Sequence, residues 1–149
     1  MFKRILLLTL VLFLITELQA QEIKVITIVE SVVPMGAGRS RMIEQKTDVD
    51  YKELTTERTD GKKSNSKNIK RSDIKIDNFA ETKLLNFYSA VGINFQNIAS
   101  NDAVISSKIN DLISNGWDLI FVTSAVESDA GKDDGKGIFI TRLFFRKTK

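Results

Sequence analysis

The run EIKVITIVESVV, residues Glu22 to Val33, constrains the fold more than any other stretch of the chain. It is rich in β-branched residues, and both sets of alternate positions are mainly apolar. One set is Val25, Val29 and Val33, and the other is Ile26, Ile28 and Val32. Such a pattern is typical of a central strand that is covered on both faces. Pro34 ends it, because proline has no N–H for a strand ladder.

Residues 1–20 have the composition of a secretory signal peptide. Lys3 and Arg4 precede an apolar run from Ile5 to Ile15, and the small residue Ala20 lies at the expected cleavage site. The apolar run is shorter than the roughly 20 residues that a bilayer-spanning helix needs. We therefore predict export to the periplasm or the exterior, with no transmembrane segment after cleavage. An uncleaved N-terminal anchor is the alternative.

The remaining residues, 21–149, have the length of one domain. The 149-residue chain has no cysteine and no histidine, which excludes disulfides, thiol nucleophiles, histidine-based triads and Cys/His zinc sites within one chain. Its 22 basic and 19 acidic residues are interspersed, so no concentrated basic face for nucleic acid is expected. No cofactor is predicted. Carboxylate chemistry, lysine or arginine chemistry and hard-cation binding stay open.

A polar excursion is predicted at about residues 44–78. Its centre, TDGKKSNSKN, has the composition of turns and solvent-exposed chain. We interpret the segment as a flexible loop. A hairpin around Asp60-Gly61 and a helix over Asp50 to Arg58 are the alternatives.

The segment after the excursion is denser in apolar residues. Odd-numbered apolar positions between Leu85 and Phe95 indicate a strand. A helix should follow, with Ser100 or Asn101 as its N-cap and Asn115-Gly116 as its end. Its apolar stripe has helical spacing and consists of Ile105, Ile109, Leu112 and Ile113.

Two further strands are predicted, at Trp117–Val126 and Ile138–Lys147, and should form an antiparallel pair. The fold class is therefore α+β. We expect a mixed, mostly antiparallel sheet with one amphipathic helix packed on a face, in the order β, long excursion, β-α-β-β. The helix should bury a set of apolar side chains together, namely Ile109, Leu112, Trp117, Phe121 and Phe145.

The turn NGWDL, which leaves the helix and enters an apolar strand, resembles a small bacterial domain of unknown function with a Gly-Trp-Glu-Leu signature. Asp118 stands where that signature usually has Glu. The stretches VESVVPMGAGRSRM, FYSAVGINFQNIASNDAVI and SAVESDAGKDDGKGIFITR are similar to a family of small exported proteins of Bacteroidota-type bacteria. In that family the loop usually reads PGGLGRSR, and Met35 replaces its first glycine here. The resemblance implies a fold and a compartment but no chemistry.

The stretch GAGRSRM offers a candidate anion site. Gly36 and Gly38 follow a strand, but the lysine and the spacing of a phosphate-binding P-loop are missing. Arg39 and Arg41, two apart in an extended chain, would point the same way and could hold a sulfate, phosphate or carboxylate. The alternative, which we favour, is a chain corner whose arginines pair with Glu30 or Glu44.

The loop VESDAGKDDGKG contains Asp129, Asp133 and Asp134, which are candidate calcium ligands. Counted from Asp129, an EF-hand would need glycine at the sixth position and glutamate at the twelfth, but Asp134 and Ile140 stand there. We therefore predict no metal site and interpret the segment as a solvated hairpin loop.

These patterns predict an exported, non-catalytic interaction module that binds an envelope protein or an anionic ligand. Phe144, with Arg142 and Arg146 on its own face, is the candidate contact surface. The equal alternative is that a second layer, such as the polar excursion folded back, covers Phe144. A carboxylate-based hydrolase of glycans is the alternative, using two acids among Glu30, Glu81 and Asp118. Self-association through an exposed edge strand is a third possibility.

Overall fold

The computed structural model describes residues 21–32, 40–89, 91–127 and 137–148. The predicted leader lies outside these ranges. The strands are β1 (Gln21–Ser31), β2 (Arg41–Gln45), β3 (Phe79–Lys83), β4 (Tyr88–Ser89), β5 (Gly92–Ile93), β6 (Asp118–Val126) and β7 (Ile138–Thr148). The α-helices are the one-turn α1 (Arg71–Ile74) and the 20-residue α2 (Phe95–Ser114), and 3₁₀ turns lie at Tyr51–Leu54 and Ser66–Asn68.

Five strands form one antiparallel sheet in the order β3-β2-β1-β7-β6, and β4 pairs with β5 in a separate two-residue hairpin. The α+β prediction is confirmed, and β1 is the central strand as its sequence predicts. β1 pairs with β7 from Gln21↔Thr148 to Ser31↔Ile138. Its second face was predicted to be covered, but no side chain on that face between Ile23 and Val29 is buried.

The core lies between α2 and one face of the sheet, which we call the helix face. Its buried apolar side chains are Ile26, Ile28, Met42, Leu84, Leu112, Trp117, Leu143 and Phe145. Val104, Ile105 and Ile109 of α2 pack against this cluster. The predicted helical stripe is therefore confirmed for Ile105, Ile109 and Leu112, whereas Ile113 is exposed.

Helix α2 begins earlier than its sequence suggested. Asn94, and not Ser100 or Asn101, is the N-cap, because its side-chain oxygen accepts the Asn97 N–H at 3.2 Å. The residues from Phe95 onward are therefore helical, and the long strand predicted over positions 85–95 is wrong. Apolar residues stand at alternate positions here although the chain forms the short β4–β5 hairpin and then the first helical turn.

The predicted helix end is confirmed. Gly116 has a φ of +82°, its N–H donates to the Ile113 carbonyl, and the Trp117 N–H donates to the Leu112 carbonyl at 3.0 Å. This pair of bonds is the Schellman motif, which glycine adopts at little cost. The turn places Trp117 against the core at the point where β6 begins.

The prediction that Phe121 lies in the core is wrong, because β6 contains a bulge. Leu119 pairs with Phe145 and Phe121 pairs with the next residue, Phe144, so Ile120 is an extra residue in β6. Simple alternation from Trp117 would place Phe121 in the core. The extra residue moves it to the opposite face, where its side chain is 59% exposed.

The polar excursion starts later than predicted. Arg41–Gln45 forms β2, so the chain leaves the sheet only at Lys46 and returns at β3. No residue from 46 to 78 is buried. Asp60 accepts the N–H groups of Lys62 and Lys63, at 2.9 and 3.2 Å, which forms a turn in place of the hairpin considered from the sequence.

A buried carboxylate connects α2 to the sheet. Glu44, on the helix face of β2, contacts the ammonium groups of Lys24 at 2.8 Å, Lys108 at 2.9 Å and Lys46 at 3.1 Å. Burial by itself would raise the pKa of Glu44. The hydrogen bonds from Lys24, Lys108 and Lys46 outweigh burial and lower the pKa to about 2.

We predict that Glu44→Gln lowers the free energy of unfolding at pH 7 by about 2 kcal/mol, because three lysines lose their shared counter-ion. The folded pKa lies below the unfolded one, so the stabilisation is complete above the unfolded pKa and is lost as the pH falls towards 2. Urea unfolding between pH 3 and pH 7 should show the difference between wild type and variant shrinking as the pH falls.

Glu81→Gln is the matched control, since Glu81 accepts from Arg41 at 2.7 Å but is exposed. We expect it to change stability by less than about 1 kcal/mol. Equal losses in the two variants would contradict a special role for the Glu44 cluster.

Candidate functional site

The face of the sheet opposite α2, which we call the open face, is the main candidate for a contact surface. Cross-strand pairs arrange its side chains in rows. One row is Phe121, Phe144 and Val25; the next is Thr123, Arg142, Thr27, Ile43 and Glu81; the third is Ala125, Ile140, Val29, Arg41 and Lys83. None of these side chains is buried.

The first row provides the aromatic part of this surface. The rings of Phe121 and Phe144 lie 5.8 Å apart between centroids at an interplanar angle of 51°. Val25 continues the row on β1. The expectation that Phe144 faces away from the core, with Arg142 on its own face, is confirmed by the register. Aromatic side chains beside an arginine are the residue types enriched in protein contact surfaces.

Charges on the open face lie within and beside the apolar rows. Arg142 is exposed in the middle row, between Thr27 of β1 and Thr123 of β6. Arg41 is engaged with Glu81 at 2.7 Å. The central strands therefore present a cation that lies between two threonines, with Ile140 and Phe144 two positions away along β7.

The candidate anion site is described only in part. Arg41 lines a pocket of about 240 Å³ together with Ser40, Glu81 and Lys83. Its partner is Glu81, and neither Glu30 nor Glu44 as the sequence suggested. The other members of this predicted site, Gly36, Gly38 and Arg39, lie outside the described residues, so the anion grip stays a prediction. The strand β2, which carries Arg41, was missed because five residues are too few to show a period.

The three acids considered for catalysis lie apart. Glu81 and Asp118 belong to strands at opposite edges of the sheet, about 19 Å apart at a spacing of about 4.8 Å per strand. Glu30 lies seven positions along β1 from the row of Asp118, about 23 Å away. Glu30 and Glu81 project from opposite faces. Glycosidases need two carboxyl groups about 5 to 9.5 Å apart, and these acids provide no such pair.

Glu30 belongs to a hydrogen-bond network around the buried Asn101, and the sequence did not predict this network. Asn101 of α2 donates to its Oε1 at 3.0 Å and to the Leu85 carbonyl at 2.8 Å, and accepts the Leu85 N–H at 2.8 Å. Asn101 was predicted to be a helix cap, but it is a buried mid-helix residue that satisfies the backbone beside β3. Burial raises the pKa of Glu30, the Asn101 hydrogen bond opposes the rise, and the charge of Asp102 adds to it.

Asp129, Asp133 and Asp134 are outside the described residues. Within residues 21–32, 40–89, 91–127 and 137–148, no group of three acids is placed to hold a metal ion. In the same part of the chain, no helix combines the length and the apolar character that crossing a membrane requires. Comparisons with protein-family models, curated proteins and solved structures found no match to this chain.

We predict that Glu30→Gln has a free energy of unfolding at pH 7 that is unchanged or up to about 1 kcal/mol higher. Glutamine keeps an oxygen for Asn101 and removes a charge whose burial is unfavourable. Because the folded pKa of Glu30 lies above the unfolded one, the wild type should lose stability relative to the variant as the pH rises through that range.

Urea unfolding at pH 5 and pH 7 measures both effects. Glu30→Ala is the control, since it removes the acceptor as well as the charge and should cost about 1 kcal/mol relative to Glu30→Gln. A large loss of stability in Glu30→Gln would mean that the ionised carboxylate stabilises the fold.

Proposed function

We propose that this chain is an exported, non-catalytic interaction module that binds a protein partner through the open face. The observation that carries the proposal is the aromatic row of Phe121 and Phe144 beside the exposed Arg142, on a five-stranded sheet whose other face is occupied by α2. A surface that combines exposed aromatic side chains with an exposed arginine has the residue types that are enriched at protein docking sites.

The charges of the open face favour a particular partner chemistry. Glu81 is engaged with Arg41, whereas Arg142 is exposed between Thr27 and Thr123, next to the aromatic row. A partner that presents an apolar surface with one acidic side chain opposite Arg142 would satisfy both features. Binding would bury the charge of Arg142 together with its counter-ion, which favours specificity over affinity.

Site-specific photocrosslinking in a bacterial host that exports the full chain tests the proposal. Phe144 replaced by p-benzoylphenylalanine keeps an aromatic ring in the aromatic row of the open face. We expect an adduct with an envelope protein other than this chain. Arg142→Glu should reduce the yield of that adduct at least about fivefold, because the glutamate would repel the acidic side chain of the partner.

Tyr51 is the control position, because it is exposed in the excursion. The same adduct from Tyr51, no adduct from Phe144, or an adduct that Arg142→Glu leaves unchanged would overturn the proposal. An adduct with the mass of two copies of this chain, without any adduct to another protein, would also overturn it, because the open face would then contact only its own copy.

A further inference from the structure

The two edges of the sheet differ in how they are protected. The β3 edge is five residues long and carries Glu81 and Lys83. The β6 edge is nine residues long and has no charge and no proline from Leu119 to Val126. Exposed edge strands normally carry charges, prolines or short lengths, because an unprotected edge pairs with another strand. The β6 edge has a bulge at Ile120 and is regular beyond it.

Apolar side chains of β6 are exposed on both faces of the sheet. Leu119, Ile120, Phe121, Val122 and Val126 are between 38% and 59% exposed. Leu119, Val122 and Val126 lie on the helix face, since they pair with Phe145, Leu143 and Phe139. Ile113 of α2 is exposed as well. A single copy of the chain leaves this apolar margin uncovered within its described residues.

The outer backbone of β6 is available for pairing. The Glu127 N–H donates to the Ile138 carbonyl of β7, at 2.9 Å. In an antiparallel ladder, alternate residues direct both backbone groups to the same neighbour. Val122, Ser124 and Val126 therefore direct their N–H and C=O groups outward, where no described strand pairs with them.

We propose that the occupant of this edge is a second copy of the chain, with β6 pairing antiparallel to the partner's β6 about a two-fold axis at Ser124. Ser124 is the midpoint of the regular stretch between the bulge and Glu127. Val122 then pairs with Val126 of the partner subunit, and the outward backbone groups of both strands meet in register. The result is a continuous ten-stranded sheet with both α2 helices on one side.

The charges and the size of the edge fit this arrangement. In this register Glu127 lies opposite Phe121 of the partner subunit, and Asp118 lies beyond the paired stretch. The acidic side chains of the two copies are therefore not placed opposite each other. Nine residues at about 3.3 Å each give an edge of about 30 Å, and side chains on both faces make it roughly 20 Å deep. Each copy would bury about 600 Å², which places the dimer at the lower end of specific interfaces.

The oligomeric state of the full chain, expressed with its leader so that any processing takes place, tests the inference. We expect light scattering after size exclusion to show a dimer in equilibrium with monomer at micromolar concentrations. Ser124→Lys places two like charges at the axis and should raise the dimer dissociation constant at least tenfold. Thr82→Lys, on the opposite edge strand β3, should leave it unchanged.

Cysteine substitutions test the register, because the chain has no cysteine of its own. Directly opposed residues of a hydrogen-bonded antiparallel pair have Cα atoms about 5.5 Å apart, which suits a disulfide. Mild oxidation should link Ser124→Cys into a dimer, whereas Thr82→Cys should stay monomeric under reducing-agent-free denaturing electrophoresis. Val122→Cys/Val126→Cys should crosslink and Val122→Cys alone should not.

A chain that stays monomeric across a 200-fold range of micromolar protein concentrations would overturn the inference. A dimer that survives Ser124→Lys, or that Ser124→Cys fails to link, would overturn it as well, because another surface would then hold the copies together. These variants lie on the helix face and leave Phe144 and Arg142 unchanged. The proposed function of the open face can therefore fail or succeed independently.

Discussion

One helix cannot cover a five-stranded sheet, and the rest of the structure follows from this mismatch. Five strands span about 19 Å from edge to edge, whereas a helix is about 10 Å wide with its side chains. α2 therefore buries the central strands and leaves β6 with every residue exposed. The core is one-sided: Ile26 and Phe145 are completely buried, while Val25 and Phe144 beside them are not.

The position of α2 depends on polar contacts as well as on apolar packing. Glu44 connects the helix to β1 and β2 through Lys108 and Lys24, and Asn101 connects it to the segment after β3. Both groups are buried, and a buried polar group is tolerated only where its partners are fixed. These contacts define where the helix crosses the sheet, and therefore which strand margin stays uncovered.

Much of the fold could be predicted from the sequence. Three elements have a local signal in the sequence. β1 has an alternating pattern of β-branched residues, and β6 and β7 are two apolar runs joined by a loop of hairpin length. The end of α2 has a glycine at Gly116. The helix start was missed because Asn94 and Asn101 are chemically identical candidates for a cap. Only tertiary structure decides that Asn94 caps α2 while Asn101 bonds to the backbone of Leu85.

The candidate site could be predicted less well, because it depends on register. Alternation within β7 correctly separated Phe144 from Phe145. Alternation in β6 placed Phe121 on the wrong face, since no residue type marks Ile120 as the extra residue of a bulge. A one-residue shift exchanges the faces of everything that follows it. The same shift that removes Phe121 from the core places it beside Phe144 and creates the aromatic row.

The bulge also links the open face to the β6 edge. Beyond the bulge at Ile120, the pairing of β6 with β7 is regular. This regular stretch carries Phe121 on the open face, and Val122 and Val126 on the helix face. A dimer through this edge would bring two open faces side by side on one continuous sheet. A partner that presents two copies of its own contact surface would then bind both at once, with an effective concentration set by the fixed geometry of the sheet. Weak contacts at each Phe144 and Arg142 would suffice for such binding.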